Sequence, residues 1–249
     1  MVFQYLSDIH YEQPANRAYL KNNPLRPIAD TLLIAGDLMP LNCMKRFSDF
    51  LDYLSSNWKS VIWIPGNHEF YSSDLSVYLN PILEKIRNNI HLCHRSVIKV
   101  GGLNILGCTL WSYIDKAHQF PIKRYLQDFS KIHWKNRKLD IDDYNIMHEL
   151  DLKFLEKNRL DDSSIVITHH VPTLQNYPEK YKGSILNQAF ASENNLLIKD
   201  SQVPYWIYGH HHANTDPFKI NNTTVVTNQL GYVLNDEHLG FNASCTFTL

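Results

Sequence analysis

Five short polar clusters constrain the fold of this 249-residue chain more than any other feature, because each directly follows a strand-sized apolar run. The clusters are Asp8-Ile9-His10, Gly36-Asp37, Gly66-Asn67-His68-Glu69, His169-His170 and Gly209-His210-His211-His212. In α/β sheets the carboxyl ends of the strands share one edge, so the loops that leave them converge on one crevice. We therefore expect the five clusters to meet in space.

The apolar runs predict strands, since each is short and is ended by polar residues. Strands are predicted at Val2–Leu6, Thr31–Ala35, Val61–Ile64, Ser164–Thr168, Tyr205–Tyr208 and Thr223–Thr227, with a last strand within Ser244–Leu249. Ser96–Val100 and Leu103–Leu106 predict a hairpin, because Gly101-Gly102 between them can adopt the positive φ of a two-residue turn.

Amphipathic helices are predicted between the strands from apolar residues at helical spacing. One extends from Phe47 to Trp58, a second from Leu75 to Ile86 with Pro81 inside it, and a third covers Asp142–Lys157. Strands that alternate with helices indicate an α/β domain with a largely buried sheet. Because the hairpin and the C-terminal strands argue against a purely parallel sheet, we predict a mixed two-sheet sandwich with helices outside, as one domain over residues 1–249.

Two long segments, residues 111–138 and 173–200, fit no regular pattern and are rich in aromatic and polar residues. Structureless loops of this length in a compact domain are usually functional or contain irregular helices, so we predict lids or inserts there. Aromatic residues stand beside cations in both segments, as in Arg124-Tyr125 and Lys180-Tyr181. This pairing suits a phosphate ester with an aromatic or nucleoside leaving group, although aromatic residues that only cover an edge of the core would look the same.

Charge and composition exclude several classes of protein. Lys and Arg total 24 and Asp and Glu total 25, a balance that argues against a nucleic-acid-binding protein. We expect no membrane attachment and a cytoplasmic location, since the apolar runs are far shorter than the ~20 residues of a membrane span and no secretory signal is visible. Cys43, Cys93, Cys108 and Cys245 lack CxxC spacing, which argues against a cysteine zinc site.

Histidine is the unusual residue, with 13 copies, and the polar clusters hold a disproportionate share of them. Imidazole nitrogens, carboxylate oxygens and an amide oxygen without thiolate suit Mn, Fe, Zn or Co. The candidate metal ligands are Asp8, His10, Asp37, Asn67, His169, His210 and His212. These groups exceed what one ion takes, whereas two ions about 3.5–4 Å apart, bridged by one carboxylate and a hydroxide, use all of them.

Taken in order, the clusters resemble the motif pattern of the calcineurin-like metallophosphoesterases: DxH, GD, GNHE, a His at a strand end and GHxH. All five motifs are present, over roughly residues 2–242, and Gly66–Tyr71 and Thr168–Pro172 are similar to the small cytosolic members. The resemblance implies a four-layer α/β/β/α sandwich with two mixed β-sheets. It also implies a dinuclear metal-dependent phosphatase or phosphodiesterase, which hydrolyses a phosphomonoester or a small phosphodiester by attack of a metal-bridging hydroxide.

The resemblance implies a role for each residue of the pattern. Asp8, His10 and His212 would hold one metal ion, and Asn67, His169 and His210 would hold the other. Asp37 would bridge the two ions. The catalytic residue would be His68, as a general acid or as a hydrogen-bond donor to the phosphoryl oxygens.

Four further residues in or near the motifs are expected to support the site or to lie outside it, rather than to bind metal or catalyse. Glu69 is expected to orient its loop through hydrogen bonds. His170 and Trp111 are expected to lie beside the ligands or to contact the substrate, and His211 is expected to face solvent.

One stretch departs from the family pattern, because relatives often carry an Arg in an NPRGY-like sequence and Asn228–Tyr232 here has neither Arg nor Pro. The relatives' substrate preference therefore does not transfer directly. Two other classes stay open: a non-catalytic protein-binding scaffold of the same fold, and a nuclease that uses the same metal site. The complete ligand set argues against the first, and the neutral charge balance argues against the second.

Overall fold

The computed structural model of the chain describes residues 1–158 and 160–249. The strands, in chain order, are β1 (Val2–Leu6), β2 (Thr31–Ala35), β3 (Ser60–Ile64), β4 (Ile82–Arg87), β5 (Ile90–His94), β6 (Ser96–Val100), β7 (Leu103–Cys108), β8 (His133–Trp134), β9 (Arg137–Lys138), β10 (Ser164–Thr168), β11 (Tyr205–Tyr208), β12 (Phe218–Ile220), β13 (Thr223–Thr227) and β14 (Thr246–Thr248). The α-helices are α1 (Pro14–Asn22), α2 (Ser48–Asn57), α3 (Gln119–Tyr125), α4 (Asp128–Lys131), α5 (Ile141–Lys157) and α6 (Asn195–Asp200). Short 3-10 segments occur at Leu41–Phe47, His68–Phe70, Leu75–Tyr78, Glu179–Tyr181, Asn187–Ala189, Val233–Asn235 and Glu237–Gly240.

Two mixed six-stranded sheets form the centre of the fold, with the orders β14-β1-β2-β3-β5-β4 and β12-β13-β11-β10-β7-β6. The four inner strands of each sheet are parallel to one another. An antiparallel strand closes each edge: β14 and β4 in the first sheet, β12 and β6 in the second. The sequence-based expectation of two mixed sheets is therefore confirmed.

The two sheets face each other across a shared apolar layer that includes Phe3, Leu33, Ile62, Ile165 and Ile207. The alternate residues of the same strands point outward and pack under helices, because successive side chains of a strand lie on opposite faces. Residues of α1, α2 and α5 join the outer core of the first sheet, and residues of α5 and α6 join that of the second. This is the four-layer α/β/β/α sandwich, and burial on both faces explains why the strands read as continuous apolar runs.

The hairpin and the long helix α5 follow the sequence prediction closely. Gly101 and Gly102 have φ of +57° and +87°, and β6 pairs with β7 in antiparallel register around them. Helix α5 begins one residue before the predicted Asp142, because the Asp140 carboxylate accepts the backbone N–H of Ile141 and Asp140 also forms a reciprocal capping box with Asp143.

The helix predicted from Leu75 to Ile86 is wrong. Only a 3-10 turn at Leu75–Tyr78 is helical, and strand β4 begins at Ile82, directly after Pro81. Proline lacks the backbone N–H and disfavours helical geometry in the residue before it. Ile82 and Ile86 pack against the core, and their four-residue spacing places them on one side of a helix and of a strand alike, so the pattern was ambiguous.

The carboxyl ends of the inner strands carry the polar clusters to one edge of the sandwich. Backbone hydrogen bonds join these loops: Asp8 N donates to Gly36 O (3.0 Å), and Gly209 N donates to His169 O (2.9 Å). His210 N also donates to the Asp8 carboxylate (3.0 Å), so loops from the two sheets meet, as the position of the clusters predicted. Among the residues that the structure describes, no helix has the length and apolar character needed to cross a membrane.

Candidate metal centre and active site

The backbone at the converging loops is held in an unusual conformation. Five of the predicted site residues have a positive φ, between +45° and +83°: Asp8, His10, Asp37, His210 and His212. Only a few per cent of non-glycine residues adopt this left-handed region, with Asp and His among the more tolerant types. Such conformations cost about 1–3 kcal/mol each and persist only where the surrounding structure enforces them, which is typical of functional sites.

Two glycines permit the close approach of the loops. A Cβ on Gly209 would lie 2.5 Å from Asp8 Oδ2 and 2.7 Å from Ser7 Oγ. A Cβ on Gly66 would lie 2.7 Å from His169 Nε2 and would also overlap the Asp37 carboxylate. Any side chain at either position would therefore displace the residues of the site.

The first group of potential ligand atoms comprises Asp8, His10, Asp37 and His212, whose ligand atoms all lie within 4.8 Å of one another. His10 Nε2 is 2.9 Å from His212 Nε2 and 3.6 Å from Asp37 Oδ2. His212 Nε2 is 3.3 Å from Asp8 Oδ1. All four side chains are buried or nearly so.

The second group comprises Asp37, His169 and His210 by the same distance criterion, with Asn67 beside them. His169 Nε2 lies 3.4 Å from Asp37 Oδ2, 3.1 Å from His210 Nδ1 and 3.1 Å from Asn67 Oδ1. The Asp37 carboxylate thus belongs to both groups. All seven side chains predicted as ligands from the sequence meet at this place.

Hydrogen bonds with neighbouring groups fix which atom of each proposed ligand points toward the centre of the cluster. His169 Nδ1 faces Ala35 O at 2.8 Å, and His212 Nδ1 faces Glu237 Oε2 at 2.7 Å. Both partners accept hydrogen bonds, so each Nδ1 carries the proton and the Nε2 lone pair points inward. Asn67 Nδ2 donates to Asp128 Oδ1 at 2.8 Å, which turns Asn67 Oδ1 inward in the same way.

The arrangement of these atoms fits a cation. His10 Nδ1 faces Glu12 Oε1 at 3.2 Å, so in the neutral form of both rings the His10 and His212 Nε2 atoms, 2.9 Å apart, present lone pairs to each other. Lone pairs repel at this distance unless a proton or a metal ion lies between them. The second group is similar, since Asn67 Oδ1, Asp37 Oδ2 and His169 Nε2 are all acceptors. The imidazole and carboxylate composition is the one that divalent transition metals prefer.

The pKa values in the site reflect strong coupling between carboxylates and imidazoles. Burial opposes ionisation, but the neighbouring His169 and His68 hold the pKa of Asp37 well below its usual value. Burial also disfavours imidazolium, yet Asp37 and Asp8 raise the pKa of His169 to about 9. Hydrogen bonds with Asp8 and Glu237 likewise overcome burial and raise the pKa of His212 to about 10. The site attracts positive charge.

His68 lies at the edge of the cluster, facing the open side. Its Nδ1 is 3.1 Å from Glu12 Oε1, its Nε2 is 3.4 Å from the Tyr232 hydroxyl, and its ring stacks on Tyr71 at 4.0 Å. Burial lowers its pKa, but Asp37 and Glu12 outweigh burial and raise it. Because Nδ1 faces the Glu12 carboxylate, Nε2 is the ring nitrogen that points away from it.

Glu69 organises two strand-end loops, as the sequence analysis expected. Its carboxylate accepts the backbone N–H groups of Gly66 (2.7 Å), Asp37 (2.9 Å) and Leu38 (2.7 Å), together with Trp63 Nε1 (3.0 Å). Burial, with a contribution from Asp37, raises the pKa of Glu69 to about 8. The carboxylate thus joins the loops after β2 and β3.

The residues with weaker expectations are all buried. His170 accepts hydrogen bonds from Ser112 N (3.1 Å) and Oγ (2.7 Å), and its ring stacks on His210 at 4.0 Å. Trp111 is fully buried and packs beside His170, with ring centres 5.3 Å apart. The solvent-facing position expected for His211 is wrong, because its side chain turns inward among tyrosines and the residue is only 3% exposed.

Sequence reasoning missed four residues that support the site. Glu12 bonds both His10 and His68, Asp128 orients Asn67, Glu237 orients His212, and Tyr232 packs against His10 with ring centres 4.6 Å apart. The alternation Asp8-x-His10-x-Glu12 was a usable signal for Glu12. Tyr232 ends the Asn228–Tyr232 stretch but received no role there, and Asp128 and Glu237 lie outside the motifs, so only the folded chain brings them to the site.

A cavity of about 340 Å³ opens onto the metal-ligand cluster. Its inner wall includes Asp37, Asn67, His68, His210 and His212. The remaining walls come largely from the two long irregular segments, which contribute Tyr125–Asp128 on one side and residues between Tyr177 and Phe190 on the other. Residues of both segments thus border the space next to the cluster.

Comparison with known proteins agrees with the fold and the motif order. The calcineurin-like phosphoesterase family model matches residues 1–214. An uncharacterized protein of Acanthamoeba polyphaga mimivirus is 28% identical over 210 residues, which cover 76% of this chain and 74% of that protein.

Two solved structures are also similar. The phosphopantetheinyl hydrolase of Mycobacterium tuberculosis aligns with a TM-score of 0.67 at 17% identity, over 93% of this chain and 89% of that one. A dimetal phosphatase from Danio rerio aligns with a TM-score of 0.48 at 12% identity, over 92% and 87% of the two chains. The family match extends over most of the sequence and includes the motifs described above, and the chain belongs to the calcineurin-like phosphoesterase family.

Proposed function

We propose that the protein is a metal-dependent phosphoesterase that hydrolyses a phosphomonoester or a small phosphodiester. The observation that carries the proposal is the convergence of seven imidazole, carboxylate and amide side chains, with their lone pairs facing one another, beside an open cavity. The carboxylate of Asp37, shared by both groups of ligand atoms, supports a centre with two ions rather than one.

Asp8, His10 and His212 would hold one ion and Asn67, His169 and His210 the other, with Asp37 shared between them. Bound there, two cations of Mn, Fe, Zn or Co would neutralise phosphoryl oxygens and lower the pKa of a water molecule that attacks phosphorus. The protein's own contribution is to fix the ligands: Ala35 O, Glu237 and Glu12 each receive the outer N–H of one histidine.

His68 would assist the departure of the alcohol. Glu12 accepts a hydrogen bond from the Nδ1–H of His68, so Nε2 is the atom that would give a proton to the leaving oxygen or a hydrogen bond to the phosphoryl group. His68 also borders the cavity, where a bound ester would lie. General acid assistance of this kind contributes typically ~10²–10⁴-fold.

The experiment is a metal titration of protein that has been stripped by a chelator and reloaded with Mn, Fe, Zn or Co in turn. Each form is assayed on phenyl phosphate, diphenyl phosphate, and single- and double-stranded DNA, and its metal content is measured. We expect close to two ions per chain and hydrolysis of at least one small ester. Less than one ion per chain under saturating metal would favour a non-catalytic scaffold, and salt-sensitive cleavage of DNA would favour a nuclease.

A further inference from the structure

His211 lies between two proposed metal ligands but takes no part in the metal-ligand cluster. Its Nδ1 accepts the backbone N–H of Ala213 at 3.2 Å and the side-chain N–H of Gln229 at 3.0 Å. A neutral imidazole whose Nδ1 accepts hydrogen bonds carries its proton on Nε2. That Nε2 is buried and has no hydrogen-bond partner anywhere in residues 1–158 or 160–249. A buried donor without an acceptor is costly, so the site calls for an acceptor that the chain does not supply.

The surroundings of His211 are aromatic. Its ring centre lies 5.6 Å from that of Tyr177, 6.2 Å from that of Tyr181 and 5.5 Å from that of Tyr208. His211, Tyr177 and Tyr181 all line the cavity that opens onto the metal-ligand cluster. We call these three residues the aromatic wall. Flat π-faces and one polar N–H suit a planar group that carries a single acceptor.

The charges around the cavity limit what this group can be. Asp37, Asp128 and Glu237 line it, and neither Lys nor Arg occurs among its described lining residues. Lys180 contacts the Tyr181 ring from outside the lining, with Nζ 4.6 Å from the ring centre. Beyond the ester phosphate, which the metal ions would neutralise, a second anionic group inside the cavity would face these carboxylates without a cation among the described lining residues.

We propose that the aromatic wall binds the leaving group of the substrate, as an uncharged aromatic ring that bears a hydrogen-bond acceptor, and that His211 Nε2 donates to this acceptor. The inference rests on the proposed function, since it concerns the alcohol portion of the ester hydrolysed at the neighbouring cluster. His211 is then a specificity-determining residue, because a site that donates a hydrogen bond discriminates against substrates that lack the acceptor.

The kinetic test compares 4-acetylphenyl phosphate, phenyl phosphate and ethyl phosphate as substrates. For each ester the kcat/KM of a variant is divided by that of the wild type, which removes the intrinsic reactivity of the leaving group. His211→Phe should lower the ratio roughly five- to tenfold for 4-acetylphenyl phosphate, as expected for one neutral hydrogen bond, and less than about twofold for phenyl phosphate. His118→Phe, outside the cavity, is the matched control and should change none of the ratios.

Two further variants complete the kinetic test. The first distinguishes the loss of the hydrogen-bond donor from misfolding, and the second distinguishes contact with the aromatic ring from hydrogen bonding. His211→Asn keeps an acceptor near the position of Nδ1 for Gln229 and Ala213 but removes the distal N–H, so it should show the same selective loss. Tyr181→Ala should lower kcat/KM about tenfold for both aryl esters and leave ethyl phosphate unchanged. Equal losses on all three esters in His211→Phe and His211→Asn would overturn the inference.

A binding experiment tests the wall without catalysis. In the metal-free protein, the ring nitrogens of His211 are observed by ¹⁵N NMR, with a protonated Nε2 and an unprotonated Nδ1 expected. 4-Acetylphenol should shift the Nε2–H signal and phenol should not; an unmoved signal with 4-acetylphenol contradicts the inference. Absence of metal-dependent hydrolysis of these three monoesters and of diphenyl phosphate would instead defeat the proposed function, and this titration would still decide whether the wall binds such rings.

Discussion

The strand-end loops and the two irregular segments border the same cavity but are built differently. The loops supply the seven proposed ligands on a backbone that both sheets fix, with several residues at positive φ and hydrogen bonds from one loop to the next. The segments at residues 111–138 and 173–200 supply tyrosines, leucines and Asp128 from short helices and turns. The position of the proposed ligands thus depends on sheet geometry, whereas the shape of the neighbouring cavity depends on how the segments pack.

The most damaging change within the strand-end loops should be Asp37→Ala. Its carboxylate belongs to both groups of ligand atoms and also accepts the His68 backbone N–H at 2.9 Å. We expect more than about a 10,000-fold loss of kcat/KM, because the stabilisation supplied by both ions is lost together. Metal content, measured by elemental analysis, should fall with activity. Asp216→Ala removes an exposed carboxylate and serves as the control; full metal content in Asp37→Ala would contradict the shared-ligand assignment.

Next in size should be His68→Gln. The side chain borders the cavity and is held by Glu12, but it belongs to neither group of proposed ligands around Asp37. We expect kcat to fall roughly 100- to 10,000-fold with metal content unchanged, as for loss of a general acid. Loss of metal in parallel with activity would show that His68 acts as a ligand instead. His118→Gln, with a half-exposed ring, should match the wild type in both measurements.

A smaller effect should follow from Asp128→Leu, which tests whether an irregular segment supports the loops. Asp128 Oδ1 accepts hydrogen bonds from Asn67 Nδ2 (2.8 Å) and from the Tyr71 hydroxyl (2.9 Å). Removing a group that orients a ligand typically weakens metal affinity ~10- to 100-fold. Competition with a fluorescent chelator measures this affinity.

Tyr71→Phe provides the matched comparison for that variant, because it removes one of the two hydrogen bonds and leaves Asn67 in place. Its effect on metal affinity should be clearly smaller than that of Asp128→Leu. Equal effects in the two variants would mean that Asp128 acts through the tyrosine rather than through the amide.

The smallest effect should come from Tyr125→Ala at the mouth of the cavity. Tyr125 is 64% exposed, so the free energy of unfolding should change by no more than about 0.5 kcal/mol. Its ring borders the cavity, and we expect a two- to threefold rise in KM for aryl esters, in line with one exposed apolar contact. Phe120→Ala, in the same helix but away from this cavity, should leave KM unchanged.

The parts of the fold that follow from local patterns were predictable from the sequence. Runs such as Thr31–Ala35 and Ser164–Thr168 are buried on both faces, so every residue is apolar or small and the strand bounds are clear. The polar residues after them could be assigned to one edge because parallel strands end together. The ligand positions followed from this rule, together with the family motifs.

The parts of the fold and of the site that could not be predicted depend on contacts between distant parts of the chain. Asp128 and Glu237 resemble ordinary surface carboxylates in sequence, and only tertiary packing places them beside Asn67 and His212. His211 was expected at the surface because neighbouring residues of a strand or turn point in different directions, but the tyrosines of a separate segment cover it. The helix predicted around Pro81 was wrong because the spacing of its apolar residues suits a strand equally well.

The left-handed backbone at the proposed ligands has a consequence for laboratory evolution. Replacing His10 or His212 by glycine would relieve an unfavourable conformation while discarding the imidazole. A library screened only for heat resistance should therefore accumulate substitutions at these two positions and yield a more stable but inactive protein. A screen that demands turnover should instead retain both histidines.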